Sequence, residues 1–523
     1  MASYHDETGG ASGSSGLRRG EACTNCRHRK IRCDGVKPIC GPCSQSTTGR
    51  WEVCDFVPYS RTATRVLKEQ IENLEAHIEQ LQLSKSSNSD SSVQHRQSSS
   101  QGTSLPPASA RPSRAPDVSS THATHRAWLS AFFARVQDLH FFLDIPRFRA
   151  SLQNRSPAPS SALLDVIYLW GARCASELTL EASLLSRARQ SVATAPTTPD
   201  VLLHTLQARL LLGQYAYGLD KSVEAGYYLN GAWSLALAAG LHRQRDVDQT
   251  RSEVRERINA FWHTLILVNL WSGVEGAPAS VSYSESADAR IYTPWPGASP
   301  STSAVRRGTL LDFLDGRADG GSESLNYLAM ASVVFERCTS VRTAAASGEL
   351  SDEQLASQIH ALDDVIAHLG PSLPSLPTDA PSFPTGPGPL SPSDAVPLRA
   401  ALLTHTTLRV AVIQLHAPMA DMSRTSRERR AGAARAVARM AGDVNVTRLG
   451  HVSPVMAALW ATACHALIDE LTVLRASNRT ADMRTYSGAL AVLEEALGTF
   501  APRCSLYESR LSTIRQVRAA VGI

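Results

Sequence analysis

A mostly α-helical chain, with a small cysteine-rich module near one end and a large all-helical body after it, is predicted by three observations on the 523 residues. Six of the ten cysteines fall within the first 54 positions. A short heptad pattern and then a stretch of Ser, Gln, Asn and Pro follow them. From about Arg126 onward apolar residues recur at helical rather than alternating spacing, as in ALLDVIYLW at 162–170. A chain of this length exceeds one compact domain, so two or more folded units are expected.

Residues 1–20 are polar and Gly/Ser-rich and read as a disordered tail, with no apolar core of a signal peptide. No apolar run approaches the ~18 residues that span a bilayer. The reading is therefore a soluble, intracellular protein with no membrane partner. In a reducing compartment, closely spaced cysteines hold metal more often than they form disulfides.

The cysteine module is expected over 21–55. Cys23, Cys26, Cys33, Cys40, Cys43 and Cys54 are separated by two, six, six, two and ten residues. Each half is a C-x2-C knuckle followed by a third cysteine, a pseudo-repeat in which a short helix returns the chain to the third sulfur. Two tetrahedral zinc ions need eight thiolate positions, and six cysteines supply them if two sulfurs bridge both metals. A zinc-nucleated binuclear cluster with two Zn2+ fits better than three disulfides. Almost no apolar material surrounds these cysteines, so metal must supply the fold. Structural zinc contributes roughly 10–16 kcal/mol of apparent binding energy.

Charge separates the two halves. The formal net charge is +4, yet 17–65 holds ten Lys/Arg against four Asp/Glu, which leaves the remainder slightly acidic. RHRKIR at 27–32 lies in the first half, whereas 44–53 carries Arg50 alone. A polyanion would meet the first half. On a short helix Arg29, Lys30 and Arg32 cannot all point one way, so some neutralise phosphates while others reach base edges. Arg and Lys suit the guanine O6 and N7 acceptors, at about 1–3 kcal/mol of discrimination per bidentate contact. A solvated charge run, a nuclear import signal or a purely structural zinc module are the plainer readings. RNA binding would call for stacking aromatics, which the basic half lacks.

The run ACTNCRHRKIRCDGVKPICGPC at 22–43 resembles the fungal binuclear zinc cluster transcription factors. That resemblance implies bridging by Cys23 and Cys40, one zinc site completed by Cys26 and Cys33, and the other by Cys43 and Cys54. It places Lys30 where the family has its base-reading lysine, Arg27, Arg29 and Arg32 at phosphate- or groove-facing positions, and Lys37 with Pro38 in the loop between the halves. The last gap, ten residues, is longer than the family usually has.

Leu67, Ile71, Leu74, Ile78 and Leu81 are spaced four, three, four and three. Ile at a and Leu at d favour a parallel two-stranded coiled coil over 61–83 and hence a homodimer; a helix packed on the protein's own body is the alternative. The linker is expected over 84–125, where too little apolar surface is present to offset chain entropy. The helical body should fill 126–523. It contains a hairpin of helices over 201–215 and 222–239, a helix over 252–271, a Pro-rich loop over 370–397, and helices over 455–476 and 488–500. Stretches at 141–148, 231–242, 256–262, 293–296 and 459–469 resemble the regulatory domain that follows such clusters in fungal factors.

Catalysis finds little support. Cys464 and His465, adjacent on a helix, point about 100° apart. Cys174, Cys338 and Cys504 read as buried or inert, Asp312, Asp315 and Asp319 as a polar turn, and Arg427, Arg429, Arg430, Arg435 and Arg439 as a solvated helix face. The resemblance implies a nuclear, zinc-dependent, sequence-specific regulator of RNA polymerase II transcription, not an enzyme. Its expected partners are double-stranded DNA with CGG-type half-sites, a second copy of itself and the transcription machinery. A zinc-stabilised protein-interaction or RNA-binding regulator is the alternative.

Overall fold

A computed structural model describes residues 118–154, 158–244, 248, 251–276, 290–297, 309–314, 316, 323–376, 386 and 388–523 and, in the amino-terminal region, 22–23, 26, 30–34, 36–37, 39–45 and 54. The chain divides into two units, Met1–Pro112 and Ser113–Ile523. No strand occurs among the described residues. The expected tail, the coiled coil and most of the linker lie outside the described residues.

The first unit contains α1, Gly41–Ser44. In the second unit come α2 Val118–Phe133, α3 Ile145–Asn154, α4 Ser161–Cys174, α5 Glu181–Ala193, α6 Leu202–Gly218, α7 Ser222–Ala238, α8 Ser252–Glu275 and α9 Thr309–Leu314. There follow α10 Ser324–Ala346, α11 Asp352–Ser372, α12 Pro392–His416, α13 Arg424–Val444, α14 Val455–Ala476, α15 Thr480–Phe500 and α16 Ser505–Ala520.

Local chemistry sets many of these boundaries. Ser160 caps α4 by accepting the Leu163 amide at 3.4 Å. Ser351 and Gln354 form a reciprocal capping box at the start of α11, satisfying two otherwise orphaned amides. Asp220, at φ 59°, turns α6 into α7, and α8 stops at Gly276, at φ 69°. Helix α8 buries Ile258, Phe261, Trp262, Leu265 and Leu270 around its circumference, which is why its sequence shows no clear polar face. It is the central helix of its half.

Several of the apolar stretches quoted above converge on α8. The Trp262 indole donates to the Pro294 carbonyl at 2.7 Å and stacks on Trp295 at 4.2 Å. The Tyr292 amide bonds the His242 carbonyl at 2.8 Å. On the other side the Asp144 amide donates to Glu256 at 2.9 Å, and the Asp144 carboxylate pairs with Arg255 at 2.8 Å. Helix α4 approaches α2 so closely that a Cβ at Gly171 would overlap the Trp128 carbonyl. In the second half α10 packs on α12, α12 on α13, and α14 on α15 and α16. There Trp460 is fully buried beside Phe500 and Tyr507.

Four sequence expectations change. The linker was expected to reach 125, but α2 begins at Val118, because His125 stacks on Tyr168 at 4.5 Å and gives that polar stretch a partner. The Pro-rich loop expected over 370–397 is shorter: Gly370 and Pro371 finish α11, and α12 starts at Pro392, where a missing amide costs nothing. Pro397 sits within α12. Helices α8 and α15 are longer than expected, the latter starting at Thr480. Finally, 392–419 and 455–476 are long and apolar enough to cross a membrane by length and composition, yet both bury more than half of that stretch in the body.

Candidate metal centre and nucleic-acid face

The six sulfurs are gathered by short-range backbone bonds. In the first half the Cys26 amide points at Cys23 Sγ at 3.4 Å, and the Ile31 amide closes back on the Cys26 carbonyl at 3.0 Å. In the second half the Cys40 carbonyl accepts the amides of Cys43 and Ser44 at the start of α1. The Cys40 amide in turn points at Cys54 Sγ at 3.4 Å. Asp34 ties the halves together: one carboxylate oxygen accepts the Gly41 amide at 2.8 Å and the other the Val36 amide at 3.2 Å. A Cβ at position 41 would crowd that carboxylate, so a larger residue there would have to push the Asp34 side chain aside. Sequence reading passed over Asp34. The signal was present in Asp34-Gly35, an Asx-turn pair, and in a glycine just inside the next helix.

All six cysteines are buried. Their Sγ atoms fall into two groups of four, Cys23, Cys26, Cys33, Cys40 and Cys23, Cys40, Cys43, Cys54, each within 4.8 Å of one another. The groups share Cys23 and Cys40, whose sulfurs are 3.7 Å apart. Other separations are 3.5 Å for Cys26 to Cys40 and 3.8 Å for Cys23 to Cys43 and Cys40 to Cys54. Tetrahedral zinc with bonds of about 2.3 Å spaces its sulfurs about 3.8 Å apart. The donor set therefore fits a binuclear zinc cluster.

Electrostatics agree. Burial pushes the Cys26 thiol up to about 12 and also raises Cys40 and Cys54. Burial would raise Cys23 too, but the Cys26 amide and the neighbouring thiols bring it down to about 6. Crowded sulfurs resist carrying several negative charges without cations among them, and zinc supplies those cations.

The basic side chains lie beside this cluster. Lys30 is exposed and takes a left-handed backbone, φ 51°, after which Ile31 to Asp34 are non-helical. Arg32 is thus off the short helix that sequence reading gave it, and exposed, as are Lys37 and Ile31. Arg27 and Arg29 lie outside the described residues, as do the dimerisation positions Leu67, Ile71, Leu74, Ile78 and Leu81.

Sequence reading also named cysteines and aspartates in the helical body. Cys338 and Cys464 are buried, with thiols raised by burial. Asp315 and Asp319 lie outside the described residues. Sequence reading missed a Ser426–His416–Asp363 chain, with His416 Nδ1 3.3 Å from Ser426 Oγ and Nε2 3.2 Å from Asp363. Ser426 is buried, however, and Asp363 also pairs with Arg429, so the chain braces α11, α12 and α13. Of the expected solvated arginine face, Arg429, Arg435 and Arg439 are exposed, while Arg430 reaches Asp469 at 2.6 Å and Arg427 reaches Glu470 at 4.0 Å from half-buried positions. Cys174 and Cys504, expected to be inert, are half-buried and line a cavity.

A sulfur cluster with metal-ligand spacing beside exposed cations, followed by a helical body, fits the class of metal-organised nucleic-acid-binding regulators. More particularly, residues 21–52 match the fungal Zn(2)-Cys(6) binuclear cluster domain and 129–287 match the fungal specific transcription factor domain. Together they support a fungal transcription factor, imply a nuclear protein and point to a regulator rather than an enzyme. Cys54 falls just past the first match, yet its sulfur touches that of Cys40. No curated protein matches the chain.

Proposed function

We propose that the chain binds specific DNA sites through the zinc cluster and regulates RNA polymerase II transcription in the nucleus. The observation that carries this reading is the pair of four-sulfur groups sharing Cys23 and Cys40, with Lys30 and Arg32 exposed beside them. Cys23 and Cys40, common to both groups, would be shared by two Zn2+, with Cys26 and Cys33 completing the ligand set of one and Cys43 and Cys54 that of the other. The metals are scaffold, not catalyst. They hold the segment 27–32 so that Lys30 reads base edges, while Arg27, Arg29, Arg32 and Lys37 neutralise phosphates. The left-handed backbone at Lys30 supports that role, because strained residues persist where the surroundings hold them for a purpose.

The heptad residues Leu67 to Leu81 pair two copies, so that a site contains two CGG-type half-sites. Selection from random duplex DNA by the full chain tests the reading. It should enrich paired guanine-containing half-sites in zinc and nothing above background after chelation. Enrichment indifferent to zinc would overturn it. Leu74→Lys should convert a two-half-site footprint to a single one.

A further inference from the structure

A second candidate site lies in the helical body, far in sequence from the six-cysteine cluster. Where the turn 135–139 after α2 and helices α4, α6, α15 and α16 meet the segment 450–454 there is an inner chamber of about 120 Å³. Its walls are Leu139, Trp170, Tyr215, Phe500 and Tyr507, with Trp170 edge-on to Tyr215 at 5.2 Å and Phe500 against Tyr507 at 5.4 Å. The chamber continues into a wider, polar vestibule of about 530 Å³, and the two share Arg135, Arg173 and Arg503.

The charges around this opening do not cancel in place. Asp138, on the wall, is held by Nε and Nη2 of Arg399 at 2.8 and 2.7 Å and by His451 at 2.8 Å. Glu181 takes Arg173 at 2.7 Å and also accepts the Tyr215 hydroxyl. Arg503 donates to a neutral acceptor, the Gly450 carbonyl, at 3.1 Å. Arg135, half-buried, has no carboxylate partner among the described residues. Glu508 and Arg503 both stand exposed on the outer rim, with no ion pair between them among the described residues. Two guanidinium groups thus flank an apolar chamber without a protein carboxylate of their own.

We propose that this cavity binds a small organic carboxylate, its apolar end filling the inner chamber and its carboxylate meeting Arg135 and Arg503 in the vestibule. An apolar pocket of about 150 Å³ holds a benzene molecule, so this smaller chamber of about 120 Å³ sets a single ring or a short branched alkyl group as the upper limit for the apolar end. Arginine's planar fork matches a carboxylate edge. Inorganic phosphate offers the charge but nothing for the chamber, and is the weaker ligand.

The test is calorimetric titration of the zinc-loaded full chain with 3-phenylpropionate, with its neutral amide and with inorganic phosphate. The carboxylate should bind saturably, and the amide and phosphate at least about tenfold more weakly, because a charge-assisted contact or the apolar burial is lost. Arg135→Gln should weaken the carboxylate about tenfold with an unchanged thermal midpoint, since the side chain is surface-reaching and unpaired. Bound carboxylate should also slow alkylation of Cys174 and Cys504 by N-ethylmaleimide, read by peptide mass, because both line the opening. Absence of saturable binding, equal binding of the amide or of phosphate, or undiminished binding by Arg135→Gln overturns the proposal. DNA binding does not enter any of these readouts.

Discussion

In the first unit the buried core consists of six cysteines, with Ala22 and Ile39 packed against them. In the second it is a continuous cluster of Leu, Val, Ile and aromatic side chains running from Trp128 to Ile514. The first unit's described helix is four residues long, whereas α8 and α12 exceed twenty. A segment that small cannot bury enough apolar surface to offset its chain entropy, so ligand bonds must replace the hydrophobic effect. The same chain thus contains one unit whose described core is sulfur and one whose described core is hydrophobic.

The largest expected effect is chelation. Zinc removal should unfold the first unit and abolish DNA binding while leaving the cooperative thermal transition of the helical body within about a degree of its starting midpoint, because about 10–16 kcal/mol of metal binding supports one unit and none supports the other. Circular dichroism melting with parallel mobility shifts reads both. The converse perturbation is Trp460→Ala, which removes a fully buried indole from beside Phe500 and Tyr507. It should lower the stability of the body by about 3–5 kcal/mol in urea and leave two zinc ions per chain in a colorimetric assay.

Acid separates the units next. His140 and His263 face each other through their Nδ1 atoms at 3.1 Å, both neutral, and burial lowers His140 from 6.5 to about 4. Below pH 6.5 the unfolded chain takes up a proton that the fold refuses. Stability present above pH 6.5 is therefore lost as pH falls towards about 4, by about 3 kcal/mol for this group. Urea midpoints of the zinc-free chain against pH should show that slope, and His140→Phe should flatten it.

Smaller effects concern the DNA face. Lys30→Ala should cost about 1–3 kcal/mol on the preferred site and relax base preference there, whereas Arg32→Ala should weaken all sequences alike and reduce the salt slope by about one. Smallest is Asp34→Ala, which deletes two acceptors at an exposed position. It should cost about 1 kcal/mol of module stability, visible as release of zinc at a lower chelator concentration.

The cysteine cluster could be read in the sequence because its ligand chemistry is local: sulfur identity and spacing alone dictate which atoms can meet. The α6–α7 hairpin could be read for a similar reason, since Asp220 and Gly240 punctuate an apolar pattern. What could not be read depends on partners distant in the chain. The polar start of α2 looks like linker until Tyr168 stacks on His125. Arg429 looks solvated until α11 brings Asp363 to it. The cavity at Arg135 exists only once residues near 139, 170, 215, 450 and 507 are assembled, and no spacing rule encodes that.

The two sulfurs common to both four-member groups have a consequence for damage. An oxidant or alkylating agent that consumes Cys26, Cys33, Cys43 or Cys54 removes a donor from one group, whereas one that consumes Cys23 or Cys40 disables both in a single event. Redundancy is therefore lowest at two atoms 3.7 Å apart. Under oxidative stress the module's lifetime is governed by how well those two thiolates are shielded, and both have no exposed surface at all.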